Sequence, residues 1–255
     1  MKVVIIGSGN VATIFGKKIL SAGHEIIQIV GRNLEKTQQL AAYLNADYST
    51  NLAEMSELAD IYIIAVSDAA ISSIAQEVRL QSKLLVHTAG AVSKDVLAGF
   101  SENYGILYPL QTLKGDISSG TPIPLLVDAN NKETLQKLIE FSSTWADNVL
   151  VADDEARLKF HVAAVFVNNF TNHLFTLVQD FCTSNNLDFG VLQPIIEETV
   201  SRMRRYPSSE VQTGPAIRKD FSTIERHEEV LKTYPNLLHI YKTFTADIID
   251  YYEKF

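Results

Sequence analysis

The sequence predicts an α/β fold: a doubly wound, mainly parallel sheet over residues 1–152, followed by an all-helical domain over residues 153–255. Three observations lead there. Residues 2–6 are a β-branched run that enters Gly7-Ser8-Gly9-Asn10-Val11-Ala12, and residues 11–22 then carry apolar side chains at helical spacing. Short apolar runs go on alternating with helical-period segments to about residue 152, which makes a parallel sheet the economical architecture. Beyond Asp153 strand-like runs vanish and glycines become scarce. A chain of 255 residues, 46% hydrophobic and 20% charged, has the apolar material for such cores.

The first element is strand, glycine turn and helix, and a second apolar run at residues 26–30 completes a β-α-β unit. In such a turn Gly7 allows the tight bend, Gly9 lets the backbone approach a pyrophosphate, and the small Ala12 lets helix pack on strand. The helix amino terminus then offers unpaired N–H groups to phosphate, so Gly7, Ser8, Gly9, Asn10, Val11 and Ala12 are candidate dinucleotide contacts. A carboxylate at the end of the second strand would bond ribose hydroxyls, but the chain reads Val30-Gly31-Arg32-Asn33. Arg32, with Asn33 beside it, can instead fork onto a 2′-phosphate, which implies NADP; otherwise Arg32 is a solvated loop charge.

Residues 34–44 have helical spacing, and residues 59–66 read as a buried strand reaching Val66, Ser67 and Asp68, further cofactor candidates. Residues 84–86 form another strand, running into His87-Thr88-Ala89-Gly90. A strand at 104–108 precedes Pro109-Leu110-Gln111-Thr112, and strands at 121–127 and 149–152 flank a helix at 132–145. Ligands of parallel sheets lie beyond the carboxyl ends of the strands, so His87, Thr88 and Gln111 are candidate substrate contacts, although polar residues also end strands for structural reasons.

In the helical half a single helix is expected over residues 154–185. Lys159, His161, Asn168, Asn169, Asn172 and His173 interrupt its apolar pattern; at 100° per residue His161, Asn168 and Asn172 share a stripe, with Lys159 and His173 nearer the opposite side. The stripe is either a satisfied helix contact or part of a pocket. A second group is Thr213-Gly214-Pro215-Ala216-Ile217-Arg218-Lys219-Asp220, then a helix carrying Glu225 and His227. Ser222 and Glu225 have capping-box spacing, and Arg218 with Asp220 is either an exposed pair or a clamp on an anionic substrate group.

The net charge of −8 is shared equally by residues 1–152 and 153–255, with no basic face, so a nucleic-acid partner is not expected. The single Cys182 makes no internal disulfide, and no Cys/His spacing suggests a metal site. No apolar run approaches the roughly 18 residues that span a bilayer. A cytoplasmic protein with no membrane partner is expected.

On Gly7-x-Gly9-x-x-Ala12, His87-Thr88-Ala89-Gly90, Pro109-Leu110-Gln111-Thr112, His161-Val162-Ala163-Ala164 with Asn169, and Thr213-Gly214-Pro215-x-x-Arg218-x-Asp220 with His227, the chain resembles a bacterial Rossmann-like family usually labelled NADP oxidoreductases. The likeness spans nearly the whole chain. More distantly it is similar to pyrroline-5-carboxylate reductase, ketopantoate reductase, 3-hydroxyacid dehydrogenases and deazaflavin-dependent NADP reductases. The resemblance implies a helical domain like the carboxy-terminal one of 6-phosphogluconate dehydrogenase, often a homodimer. It implies hydride transfer between NADP(H) and a small carbonyl or imine compound that bears a carboxylate. Lys159 or His161 would then donate a proton, Asn169 orient the donor or substrate, and Arg218, Asp220 and His227 bind substrate. Hydroxyacid dehydrogenases place Asn four residues after their Lys, whereas this chain has Ala163, and Ala89 stands where the family turn commonly has Ser. The rival readings are a non-catalytic NADP(H)-binding sensor that docks a protein partner, and a flavin or deazaflavin partner in hydride exchange.

Overall fold

The computed structural model describes residues 1–114 and 121–254; residues 115–120 and 255, which belong to the two expected domains, lie outside the described residues. The chain divides into two compact units, Met1–Asn168 and Asn169–Phe255.

The first unit runs β1 (Lys2–Ile6), α1 (Asn10–Ser21), β2 (Glu25–Val30), α2 (Leu34–Leu44), β3 (Asp47–Ser49), β4 (Ile61–Ile64), α3 (Asp68–Glu77), β5 (Leu84–His87), β6 (Asn103–Pro109), β7 (Pro124–Ala129), α4 (Lys132–Ser143), β8 (Asn148–Val151) and α5 (Asp154–Ala164). The eight strands form one sheet in the order β3-β2-β1-β4-β5-β6-β7-β8, parallel throughout except where β6 meets β7. This is the doubly wound arrangement expected, with its switch point between β1 and β4.

Strand periodicity of two separates the core into two faces. Val3, Ile5, Ile61, Ile63 and Val86 pack with Phe15, Leu40 and Phe141 from α1, α2 and α4. Val4, Ile6, Tyr62, Ile64 and Leu85 pack with Ile71 and Ala75 from α3 on the other face. The short β3 and the helix α3 are additions to the elements read from sequence. The strand expected at 121–127 lies at Pro124–Ala129, because antiparallel pairing of Pro109 with Leu125 and Gly105 with Ala129 sets its register.

The single helix expected over 154–185 is not one α-helix. After α5, Val165–Phe170 winds as a π-helix before α6 (Thr171–Ser184). The wider π turn breaks the 100° phase on which the shared stripe of His161, Asn168 and Asn172 depended. The second unit continues with α7 (Gln193–Met203), α8 (Phe221–Leu231) and α9 (Pro235–Tyr252). No helix among the described residues is long and apolar enough to cross a membrane.

Candidate active site

The parallel strands β1, β4, β5 and β6 end together, and Gly7, Val66, Ser67, His87 and Thr88 lie at or just beyond those carboxyl ends. Gly7 follows β1 with φ +130°, and a Cβ there would stand 2.1 Å from the Ala65 carbonyl oxygen. Only glycine fits so close a crossing of β1 over the end of β4. Around Gly9, by contrast, a Cβ would meet nothing within 4 Å, and Gly9 and Asn10 are exposed.

Helix capping separates two kinds of helix start. Asn33, Asn131 and Asp153 each accept a backbone N–H in the first turns of α2, α4 and α5. Gly9 and Ser67, which open α1 and α3, make no such side-chain hydrogen bond. The uncapped pair lies at the strand ends flanking β1 and β4, and α1 has no acidic residue in its first turn. Such a terminus favours an anion. Arg32 is exposed and makes no hydrogen bond or ion pair among the described residues. Ser8, Val11 and Val66 are half-buried, Ala12 is buried under α1, and Ser67 and Asp68 are exposed. Asn33, expected beside the nucleotide, spends its Oδ1 on the Lys36 N–H at 2.9 Å as the α2 cap.

His87, expected to touch substrate, is fully buried and its ring is occupied by backbone. Its Nδ1 accepts the Ala89 N–H at 3.2 Å, so Nε2 carries the proton and donates to the Ser93 carbonyl at 3.3 Å. Burial pushes its pKa down to about 4, against the opposing Ser93 hydrogen bond. His87 is therefore a neutral ring that shapes the turn after β5. Thr88 is buried with its hydroxyl 3.4 Å from the Ile64 carbonyl. Gln111 is exposed, but its amide bonds the Pro122 carbonyl at 3.1 Å and the Thr112 N–H at 2.8 Å. Three expected substrate contacts thus have backbone partners, as the structural reading of polar strand ends allows.

Two residues that sequence reasoning passed over organise this end of the sheet. Tyr108, near the end of β6, lies with its hydroxyl 2.9 Å from His161 Nδ1. Burial, and then the negative charge of Asp68, raise the Tyr108 pKa, with Arg157 opposing, so the phenol holds its proton at neutral pH. Arg157 on α5 is only 1% exposed. Its Nε donates to the Gly90 carbonyl at 3.2 Å, and its Nη2 to the Val92 carbonyl at 2.5 Å and to Asp154 at 2.8 Å. Nη1 is buried with no partner among the described residues. Asp154 also accepts the Ser93 hydroxyl; burial alone would raise its pKa, but the hydrogen bonds from Ser93 and Arg157 hold it below the usual carboxylate range.

Gly90 sits between these groups: a Cβ there would stand 2.9 Å from both His161 Nδ1 and the Tyr108 ring. A signal for Arg157 did exist in the sequence. It precedes His161 by one helical turn, which puts both on one face of α5. Tyr108 carried no such signal, since its partner is 53 residues away.

The structure does not bring Lys159 to this cluster. Its side chain is 74% exposed and pairs with Glu155 at 2.5 Å, an i,i+4 surface bridge. Asn169 is exposed within the π segment, where the two units divide.

In the second unit Asp220, expected to orient a substrate, is the α8 cap. Its Oδ1 accepts the Thr223 N–H at 3.1 Å and its Oδ2 the Thr223 hydroxyl at 2.7 Å. Those bonds hold its carboxyl below the usual range. The box read at Ser222 and Glu225 is therefore displaced by two residues: helix geometry begins at Phe221, so Ser222 is already inside it. Arg218 is exposed and makes no salt bridge among the described residues, and His227 Nδ1 lies 3.0 Å from the Tyr241 hydroxyl. Among the described residues no three His, Cys, Asp or Glu side chains gather as a metal ion would require.

Residues 2–90 match the family model described as NADP oxidoreductase coenzyme F420-dependent, and residues 123–248 match a domain of unknown function, DUF2520. A crystal structure of a Bacteroides fragilis protein, assigned there as an NADP oxidoreductase, shares 34% identity with a TM-score of 0.90, covering 98% of each chain. Two distant structures share the fold. The pyrroline-5-carboxylate reductase of Streptococcus pyogenes has 16% identity and a TM-score of 0.65 over 100% of this chain and 99% of its own. The imine reductase of Myxococcus stipitatus, in complex with NADP+, has 13% identity and a TM-score of 0.66 over 100% and 93%. No curated protein matches the sequence.

Proposed function

The chain belongs to this family of NADP oxidoreductases, and from that premise we propose that it transfers hydride between NADP(H) and a small carbonyl or imine compound bearing a carboxylate. The observation that carries the reading is the uncapped start of α1, with open space at Gly9 and, past the end of β2, an exposed Arg32 with no partner among the described residues. Gly7, Ser8, Gly9, Asn10, Val11 and Ala12 would hold the pyrophosphate, Arg32 the 2′-phosphate, and Val66, Ser67 and Asp68 the path toward the nicotinamide. Bound NADPH supplies hydride. The protein must then supply a proton donor and an anion clamp. His161, half-buried and hydrogen-bonded to Tyr108, is better placed to move a proton than the exposed, ion-paired Lys159. We assign Arg218 to a substrate carboxylate, since its guanidinium is exposed and makes no salt bridge among the described residues. Asn169 we keep as an orienting residue.

The test is a fluorescence titration with NADPH and NADH in parallel, on the natural chain and on Arg32→Ala. The substitution should weaken NADPH by about 1.5–3 kcal/mol, roughly ten- to hundredfold, and leave NADH nearly unchanged. Equal losses for the two nucleotides would remove Arg32 from the site, and binding of neither would end the oxidoreductase reading.

A homodimer is part of the same reading. Phe160, Val162 and Val167 are exposed around the end of α5, and the second unit leaves Val191, Ile195 and Val230 more than half exposed. Apolar surface of this extent on a helical unit with few buried side chains favours a covering subunit. Light scattering after size exclusion checks it: a monomer at all concentrations would refute the dimer. The free, buried Cys182 supports a reducing compartment, which we take to be the cytoplasm.

A further inference from the structure

Tyr108 and His161 are the pair in the first unit whose chemistry is not yet assigned between them. The phenol sits at the carboxyl end of β6, the imidazole on α5, and their 2.9 Å contact is kept open by the absent Cβ of Gly90, whose carbonyl Arg157 anchors. Charged groups that face the phenol are Asp68 from α3 and Arg157 from α5.

We propose that Tyr108 is the residue that hands the proton to the reduced substrate, and that His161 reloads it. The proposal rests on the reductase reading above. As the substrate carbon accepts hydride, the Tyr108 O–H bond breaks and its proton goes to the carbonyl oxygen or imine nitrogen. The phenolate then takes the His161 Nδ1 proton as Nε2 takes one from solvent, so the phenol is restored and the imidazole stays neutral throughout. One hydride and one proton are consumed for each substrate molecule, with NADPH as the reductant. The raised pKa of the phenol fits the first step, because the donor stays loaded through neutral pH. The hydrogen bond fits the second, because no other titratable side chain is hydrogen-bonded to the Tyr108 hydroxyl among the described residues.

Two measurements test it. The first needs no cofactor: the His161 ring nitrogens are observed by NMR in the natural chain and in Tyr108→Phe. Loss of the hydroxyl should move the Nδ1 resonance, because that nitrogen loses its hydrogen-bond partner. An identical Nδ1 resonance in the two would mean that the groups share no proton, and the relay would fall. The second follows NADPH oxidation with pyruvate, glyoxylate and 2-methyl-1-pyrroline as probes. Tyr108→Phe should lower kcat by about 100-fold or more while its NADPH dissociation constant stays within about twofold. A Tyr108→Phe enzyme that turns over within about threefold of the natural chain overturns the relay and leaves the reductase reading standing. A natural chain that binds NADPH yet reduces none of the probes overturns the reductase reading, and the relay with it.

Discussion

The sheet unit and the helical unit place their apolar residues very differently. Residues 1–168 bury two clusters, one on each face of the sheet, with Val3, Ile5, Phe15, Ile61 and Ile63 wholly inside. Residues 169–255 bury Cys182, Ala216, Ile224 and Leu231 and expose many larger side chains. A strand in a covered parallel sheet has neighbours on both faces and at both edges, so its side chains are enclosed by their own unit. A helix encloses only the stripe that another element covers. The first unit thus encloses its apolar side chains within its own layers, whereas the second unit leaves many of its larger ones exposed.

The largest effect that would sharpen this contrast is Phe15→Ala, which removes a wholly buried ring and should cost about 3–5 kcal/mol in urea unfolding. Val191→Ala in the second unit, at 74% exposure, should stay within about 0.5 kcal/mol at low protein concentration. A large, concentration-dependent loss at Val191 would instead support the proposed dimer, with a subunit covering that face.

The next effect is on pH. His87 titrates at 6.5 when unfolded and at about 4 when folded, so the unfolded chain binds the extra proton between those values. Stability contributed by neutral His87 is complete above 6.5 and is lost as pH falls toward 4, by about 3 kcal/mol in all. Urea midpoints between pH 7 and pH 4 check this, and His87→Gln should flatten the slope in that window. An unchanged slope would place the acid sensitivity elsewhere.

Gly90→Ala forces a methyl against His161 and Tyr108 and should cost about 1–3 kcal/mol, visible in both the unfolding midpoint and the His161 spectrum. The smallest effect falls in the helical unit. Asp220→Ala deletes the α8 cap and should cost about 1 kcal/mol, while Asp220→Asn, which can still cap, should retain most of it. A much larger loss at Asp220 would mean that it does more than cap.

Legibility followed the range of the interactions. The glycine turn and the β-α-β unit were readable because each depends on residues within a few positions of one another. Capping was half readable: a cap near residues 220–222 follows from the residue types, but which residue opens α8 depends on where helical dihedrals begin. The π segment was not legible, since Val165–Phe170 has an ordinary helical pattern in sequence. The backbone partners of His87 were not legible, because a polar side chain at a strand end looks the same in sequence whether it faces a ligand or its own backbone.

The sheet's local parts, the family likeness and the nucleotide turn were written in the chain, because β-branched runs, glycines and helical spacing act over a few residues at a time. That Tyr108 meets His161, that Arg157 pins the turn at Gly90 and that Lys159 stays in solvent emerged on folding. Each of those facts depends on how distant segments pack. The 53 residues between Tyr108 and His161 carry no local trace of a contact made only when α5 closes over the end of the sheet.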